Sequence, residues 1–165
     1  MKNNFLLYFF IFVISFSNFK SFSDEFEFKF TEIQIENNGS LYKGLGGGKV
    51  ISDDDVEIIA DYFEYKKKDL ILKVFGNVEI IDHKKNIKIE GNEIFYEKKI
   101  DKIYSVGKTF INFNNSYEAK TSNLVYERSN NQIYSNYKTK VNDGEKNYYD
   151  FNSFNYNLNN SFLIS

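Results

Sequence analysis

Val56-Glu-Ile-Ile-Ala-Asp-Tyr-Phe-Glu-Tyr65 returns three times along the chain. The later copies are Ile87-Lys-Ile-Glu-Gly-Asn-Glu-Ile-Phe-Tyr96, Tyr117-Glu-Ala-Lys-Thr-Ser-Asn-Leu-Val-Tyr126 and Asn147-Tyr-Tyr-Asp-Phe-Asn-Ser-Phe-Asn-Tyr156. The closing tyrosines, Tyr65, Tyr96, Tyr126 and Tyr156, are 31, 30 and 30 residues apart. Two positions before each stands an apolar residue: Phe63, Ile94, Leu124 and Phe154. Five before stand Ala60, Gly91, Thr121 and Phe151. Agreement at a fixed period is the mark of repeated supersecondary units.

Each unit has a second half, such as Leu72-x-Val74-x-Gly76-x-Val78-x-Ile80, Ile103-x-Ser105-x-Gly107-x-Thr109-x-Ile111 and Ile133-x-Ser135-x-Tyr137-x-Thr139-x-Val141. A period of two belongs to a strand with one buried face. The first half has the same period but slips by one residue between Ala60 and Phe63 and at the equivalent places. A slip of one moves side chains to the other face, so a bulge or corner is expected at Asp61, Asn92, Ser122 and Asn152. Upstream, Phe26-x-Phe28-x-Phe30 with Ile33-x-Ile35 and then Leu41 to Ile51 read as two more strands around the turn Asn37-Asn38-Gly39-Ser40. Outside the extreme N-terminus no stretch has a helical period. About nine strands are expected in all, antiparallel or nearly so.

A lone hairpin cannot bury its apolar face, so the units must stack on one another. The expected fold is all-β: an open antiparallel β-jellyroll, a sheet folded over into two facing layers and built from two-strand repeats. Glycine and alanine at wall positions leave room inside or allow sharp bending. The end strands of such a stack are unpaired edges without proline, open to strand addition by a partner. Phe26, Phe28 and Phe30 on the first strand, and Phe151, Phe154 and Tyr156 on the last, are the candidate partner contacts.

Composition removes many function classes. The 165 residues include no Cys, no Pro, no Trp and one histidine, His83, against 18 Phe and 13 Tyr. That excludes a disulfide framework, thiolate chemistry and a Cys-based zinc site. A net charge of −2 gives no electrostatic case for nucleic acid. Gly44-Leu-Gly-Gly-Gly48-Lys49 fails the phosphate-loop pattern, because Lys43 and Val50 stand where Gly and Ser or Thr belong. Asp53-Asp54-Asp55 lacks the spaced ligands of a calcium loop and reads as a solvated turn. His83 falls in a hairpin turn, and Lys66-Lys67-Lys68 in a charged turn that could meet anionic head groups. The four tyrosines could rim a groove or form a core ladder with satisfied hydroxyls. No catalytic residue, metal ligand or cofactor is assigned, and an enzyme is not expected.

Residues 1–23 have the layout of a secretory signal: Lys2, an apolar run from Phe5 to Ile14, then Ser21-Phe22-Ser23 before Asp24-Glu25. The apolar run is shorter than the ~20 residues that span a bilayer. Cleavage is expected after Ser23, leaving a domain of residues 24–165.

Ile58-x-Ala60-Asp61-x-Phe63-x-Tyr65 followed by Gly76-Asn77-Val78-Glu79-Ile80 resembles the OstA-type repeat of the lipopolysaccharide-transport family of Gram-negative envelopes. Members of that family include the bridge protein LptA and the periplasmic N-terminal domain of LptD. The resemblance runs from about Gly44 to Tyr156 and weakens in later units, where Thr121-Ser122 and Tyr137-Lys138-Thr139 replace the motif. It implies a hydrophobic groove that carries lipid A acyl chains, edge-to-edge stacking on other jellyrolls of the transport bridge, and a periplasmic location beside the outer membrane. The groove candidates are then Ile58, Ala60, Phe63, Ile89, Gly91 and Ile94, continuing as Ile103, Ile111, Leu124, Ile133 and Val141. Residues 157–165 resume an apolar run and stop, like a unit cut short; this suits either an LptA-like chain with a short last strand or an N-terminal piece of an LptD-like chain. The competing reading is a secreted structural β-solenoid or adhesin-like repeat with a packed interior and no ligand.

Overall fold

The computed structural model describes residues 25–113, 117–145 and 147–160, and the backbone of 162–164. The expected signal segment lies outside the described residues. Among the described residues fourteen strands form one sheet in which every pairing is antiparallel. In chain order they are β1 (Phe26–Glu36), β2 (Leu41–Ser52), β3 (Val56–Ala60), β4 (Tyr62–Lys66), β5 (Ile71–Asp82), β6 (Ile87–Glu97) and β7 (Lys102–Phe113). Then come β8 (Tyr117–Ser122), β9 (Val125–Glu127), β10 (Gln132–Ser135), β11 (Thr139–Asn142), β12 (Tyr148–Phe151), β13 (Phe154–Asn157) and β14 (Phe162–Ile164). The fold is all-β, as the periodicity requires, and the short strands join into ten crossings of a folded-over sheet.

Each crossing before β14 has two halves, because each passes through a corner. The first layer pairs 26–30, 48–52, β3, 78–82, 87–91, 109–113, β8, β11 and β12. The second pairs 32–36, 41–45, β4, 71–75, 93–97, 102–106, β9, β10, β13 and β14. The layers face one another. Phe26 of the first meets Tyr65 and Tyr96 of the second with ring centroids 5.3 and 5.7 Å apart, and Phe113 meets Tyr156 at 4.6 Å. One apolar core runs between them from Phe26 to Tyr156.

The corner explains the slip. In the first half of a unit the inward residues flanking the corner are three apart: Ala60 and Phe63, Gly91 and Ile94, Thr121 and Leu124, Phe151 and Phe154. In the second half they are four apart: Val74 and Val78, Ser105 and Thr109, Ser135 and Thr139. Two residues of one strand therefore oppose one of its neighbour, as Gly76-Asn77 and Gly107-Lys108 both oppose Asn92. The added residue bends the strand and returns its apolar side to the interior.

The same arithmetic exposes a unit that the tyrosine anchor conceals. Phe30 and Ile33 are three apart, Gly44 and Gly48 four apart, and Gly46-Gly47 oppose Thr31. The first hairpin is thus a full repeat whose anchor position holds Ile35. Its glycine stretch is structural: a Cβ on Gly44 or Gly48 would lie 2.8 or 2.5 Å from the ring of Phe30, which fills the space both glycines vacate.

At the first corner the Asp61 N–H donates to the Gly76 carbonyl at 2.9 Å, and Asn77 Nδ2 donates to Asp61 Oδ2 at 2.9 Å. The Ala60-Asp61 and Gly76-Asn77-Val78 elements are the two sides of this one corner. Gly76 has φ +79°, and a Cβ there would stand 2.6 Å from Asp61 Oδ2; Gly107 has φ +80° with open space around it. Gly107→Ala therefore meets backbone strain alone, about 1–2 kcal/mol. Gly76→Ala adds a clash with the corner aspartate and is expected to cost clearly more, read as a larger fall in urea midpoint for Gly76→Ala than for Gly107→Ala.

Candidate functional site

The groove candidates come together as the two walls of the interior. Ile58, Ala60, Ile89, Gly91, Ile111 and Val141 stand on the first layer, and Phe63, Ile94, Ile103, Leu124 and Ile133 on the second. Gly91 is half-buried; the others are closed to solvent. The wall is not apolar throughout. In the later units Ser105 and Thr109 hydroxyls lie 2.5 Å apart, Thr121 Oγ1 donates to Ser135 Oγ at 2.9 Å, and Thr139 Oγ1 donates to Thr121 Oγ1 at 2.8 Å. These buried hydroxyls satisfy one another near the corner, where the earlier unit has Val74 and Val78.

Of the edge candidates, Phe26, Phe154 and Tyr156 lie in the core, and Phe28, Phe30 and Phe151 are partly buried against it. The first edge shows other side chains. Ile33 and Ile35 pair with Gly44 and Tyr42, which pair in turn with Phe63 and Tyr65, so all share the inward face. Yet Ile33 is 38% and Ile35 56% exposed. Among the described residues nothing covers the interior at this end.

Opposite the corner, the mouth between the layers is bridged by a cluster of charges. A repeated turn builds it. Two residues after each anchor, a backbone N–H donates to a carbonyl of the preceding turn: Lys67 to Ser40 at 3.0 Å, Lys98 to Leu70 at 2.9 Å, Arg128 to Asp101 at 3.0 Å and Leu158 to Asn131 at 2.9 Å. The same turn thus carries a different side chain in each unit. Leu158 packs on the core, Lys67 is exposed, and Lys98 and Arg128 reach the aspartates.

Arg128 is 3% exposed. Its Nε donates to Asp82 Oδ2 at 2.9 Å, and its Nη1 to Asp101 Oδ1 at 2.5 Å, to Tyr96 Oη at 3.0 Å and to Asp54. Asp82 is 1% exposed and also accepts from Tyr126 Oη at 2.8 Å. Tyr96 Oη donates to Asp101 Oδ1 at 2.9 Å. Lys98 Nζ pairs with Asp53 at 2.6 Å and Asp54 at 2.8 Å. Asp54 and Asp82 belong to the first layer; Arg128, Tyr96, Tyr126 and Lys98 belong to the second. The network therefore ties the layers together at the open side.

Electrostatics follow the burial. For Asp54, burial opposes the charge, but hydrogen bonds from Lys98, Ser52 and Arg128 outweigh it and hold the carboxyl well below its usual range. Burial raises the Tyr96 and Tyr126 hydroxyls far above the ordinary phenol range, the nearby Asp101 and Asp54 adding at Tyr96 and Asp82 adding at Tyr126. Both stay protonated and act as donors. Burial works against the Arg128 charge, yet the Asp82 hydrogen bond and its other partners hold it firmly protonated.

The acidic run at Asp53-Asp54-Asp55 is thus more than a solvated turn, since Asp53 and Asp54 meet Lys98 and Asp54 also meets Arg128. His83 is half-exposed, with Nε2 3.9 Å from Glu57. Lys66, Lys67 and Lys68 are exposed. All four anchor tyrosines are core residues; the Tyr156 hydroxyl is buried without a hydrogen-bond partner among the described residues. Among the described residues no group of three or more His, Cys, Asp or Glu is placed to hold a metal ion, and no helix is long and apolar enough to cross a membrane.

Arg128 escaped the periodicity argument because its partner Asp54 is 74 residues away. One signal was available: it is the only arginine in a chain that otherwise uses lysine. A planar fork is what several carboxylates around one site require.

No protein-family model matches the chain, and no curated protein matches it.

Arg128→Met leaves Asp82 buried without its cation and is expected to cost about 3–5 kcal/mol, whereas Arg128→Met with Asp82→Leu recovers much of the loss; urea unfolding of the three chains checks this. The depressed Asp54 carboxyl contributes stability that is fully present above about pH 4 and is lost as pH falls toward its folded value. Asp54→Asn should lower stability at pH 7 and flatten the acid limb, measured as unfolding midpoint against pH.

Proposed function

We propose that this chain is a periplasmic component of lipopolysaccharide transport and assembly, whose inward face receives lipid A acyl chains and whose edges stack on partner jellyrolls. The observation that carries this reading is the uncovered N-terminal end of the interior. The inward face runs through every unit and emerges at Ile33 and Ile35, on a strand that pairs only with β2 among the described residues. A partner sheet added to β1 would satisfy its free backbone groups and continue the apolar interior across the junction. Buried acyl chains gain ~0.8 kcal/mol per CH₂, so such a carrier needs a length of apolar wall and no reactive group. On this reading the chain works beside the outer membrane, and the leader expected in residues 1–23 exports it.

The packed solenoid has its own support. The walls are closed to solvent, and Arg128 bridges the mouth. Lipid enters the middle of this interior only if the layers part.

Photo-crosslinkers at Ile35 and Ile89 separate the two readings in cells. A transport component is expected to give a protein adduct at Ile35 and a lipopolysaccharide adduct at Ile89. Protein adducts at Ile35 with only intramolecular links at Ile89 would favour the packed solenoid. Ile35→Asp tests the edge cleanly, because the residue is exposed; it should abolish partner assembly while leaving the unfolding midpoint nearly unchanged. Phe154→Asp could not do so, since it buries a carboxylate at a position 1% exposed.

A further inference from the structure

The outer face of the first layer is charge-paired over its first half. Lys29 pairs with Glu27 at 3.2 Å, Lys49 with Glu57 at 2.8 Å, and Lys88 with Glu79 and Glu90 at 2.9 and 3.0 Å. Beyond β6 the pattern changes. Lys108, Lys120, Lys138 and Lys140 line one concavity of about 690 Å³ on that face, beside the corner, with Asp150 as its one acidic residue. Among the described residues no carboxylate lies within ion-pair distance of Lys108, Lys120 or Lys138, and the Lys140–Asp150 pair is long, at 3.8 Å, and three-quarters exposed.

Register makes this a costly arrangement. Lys120 and Lys140 are directly opposite each other on β8 and β11. Like charges at such positions stand about 5 Å apart at Cβ and destabilise a sheet. Lys120 is opposite Phe110 on its other side and holds its ammonium 5.4 Å from that ring. Phe110 is itself nearly half exposed and gives the concavity an apolar floor. A chain of net charge −2 thus gathers four lysines in one hollow, three of them without an ion-pair partner among the described residues.

We infer that this hollow binds a ligand carrying two or more phosphate groups, seated on Phe110 and held by Lys108, Lys120, Lys138 and Lys140. Four ammonium groups around one apolar floor suit a compact, multiply charged anion, and lysine meets phosphate oxygens as a point charge. The ligand supplies the counter-charge that the sheet lacks and relieves the Lys120–Lys140 repulsion. The phosphates belong either to a lipid head group or to a soluble phosphorylated compound. The site lies on the outer face and does not depend on lipid entering the interior.

The test is titration of the full-length chain with inorganic pyrophosphate by calorimetry at low ionic strength, repeated with vesicles of phosphatidylcholine alone or with phosphatidic acid. Lys120→Gln combined with Lys140→Gln should lower pyrophosphate affinity by about tenfold or more, since each charged hydrogen bond lost is worth over 1 kcal/mol. Its unfolding midpoint should not fall, because a repulsion has been removed. Lys67→Gln combined with Lys68→Gln removes as much charge from an exposed turn elsewhere and should change affinity less than about twofold. Binding to pyrophosphate and to phosphatidic acid vesicles identifies a head-group site; binding to pyrophosphate alone identifies a soluble ligand; either supports the hollow. Absence of pyrophosphate binding, an unchanged affinity in the Lys120/Lys140 variant, or an equal loss in the Lys67/Lys68 variant would overturn it.

Discussion

Keeping one face of the strands inside while the sheet turns through a corner is the constraint on which this molecule depends. Side chains alternate, so a bent strand sends its apolar set outward unless the bend changes the residue count. The chain meets this with two kinds of corner used in turn. One advances three residues between inward positions and the next advances four, with the extra residue opposing its neighbour's single one. Neither corner works alone, because each needs the other's residue count beside it. The repeat is therefore a pair of strands, and the hydrogen bonds between Asp61, Gly76 and Asn77 show how two successive crossings share one bend.

The mouth obeys a different logic. Its backbone ladder, which joins the residue two beyond each anchor to the preceding turn, repeats through the molecule, while the side chain it carries changes. Only where that side chain is Arg128 does a buried guanidinium meet aspartates from the opposing layer. A buried ion pair adds little net stability compared with apolar packing. What it supplies is discrimination: a shifted stacking of the layers would leave Asp82 buried and unpaired. Tyr96 and Tyr126, held protonated by burial, orient the aspartates from the side.

This division governs what could be read from residues alone. The 30-residue unit, the alternation and the corners at Asp61, Asn92, Ser122 and Asn152 were legible, because a spacing of three breaks a period of two. The extra residue at Gly76, Gly107 and Tyr137 was hidden, because a spacing of four preserves it, and the two glycines signalled only that sharp bending was allowed there. The first hairpin went unrecognised as a repeat because Ile35 stands where the other units have tyrosine. The Arg128 network was illegible for a further reason: it joins turns of different units across the mouth, and no local period encodes such a meeting. The lysine hollow needed both the corner count and the strand register before Lys120 and Lys140 could be set opposite each other.

The interior is graded along the stack as well as sealed across it. In the early units the corner-flanking wall positions are Val74 and Val78, and the end beyond them is lined by Phe28, Phe30, Tyr42, Ile33 and Ile35. Further on, the equivalent positions become Ser105, Thr109, Ser135 and Thr139, joined by Thr121 at the place of Ala60, and these hydroxyls bond one another. An apolar guest leaves water for apolar side chains in the first region and meets a mutually bonded polar seam in the second. Apolar contact is thus more favourable toward β1, whose other backbone edge has no partner strand among the described residues. Backbone pairing and apolar burial would then act at the same junction, and a partner that used one would gain the other.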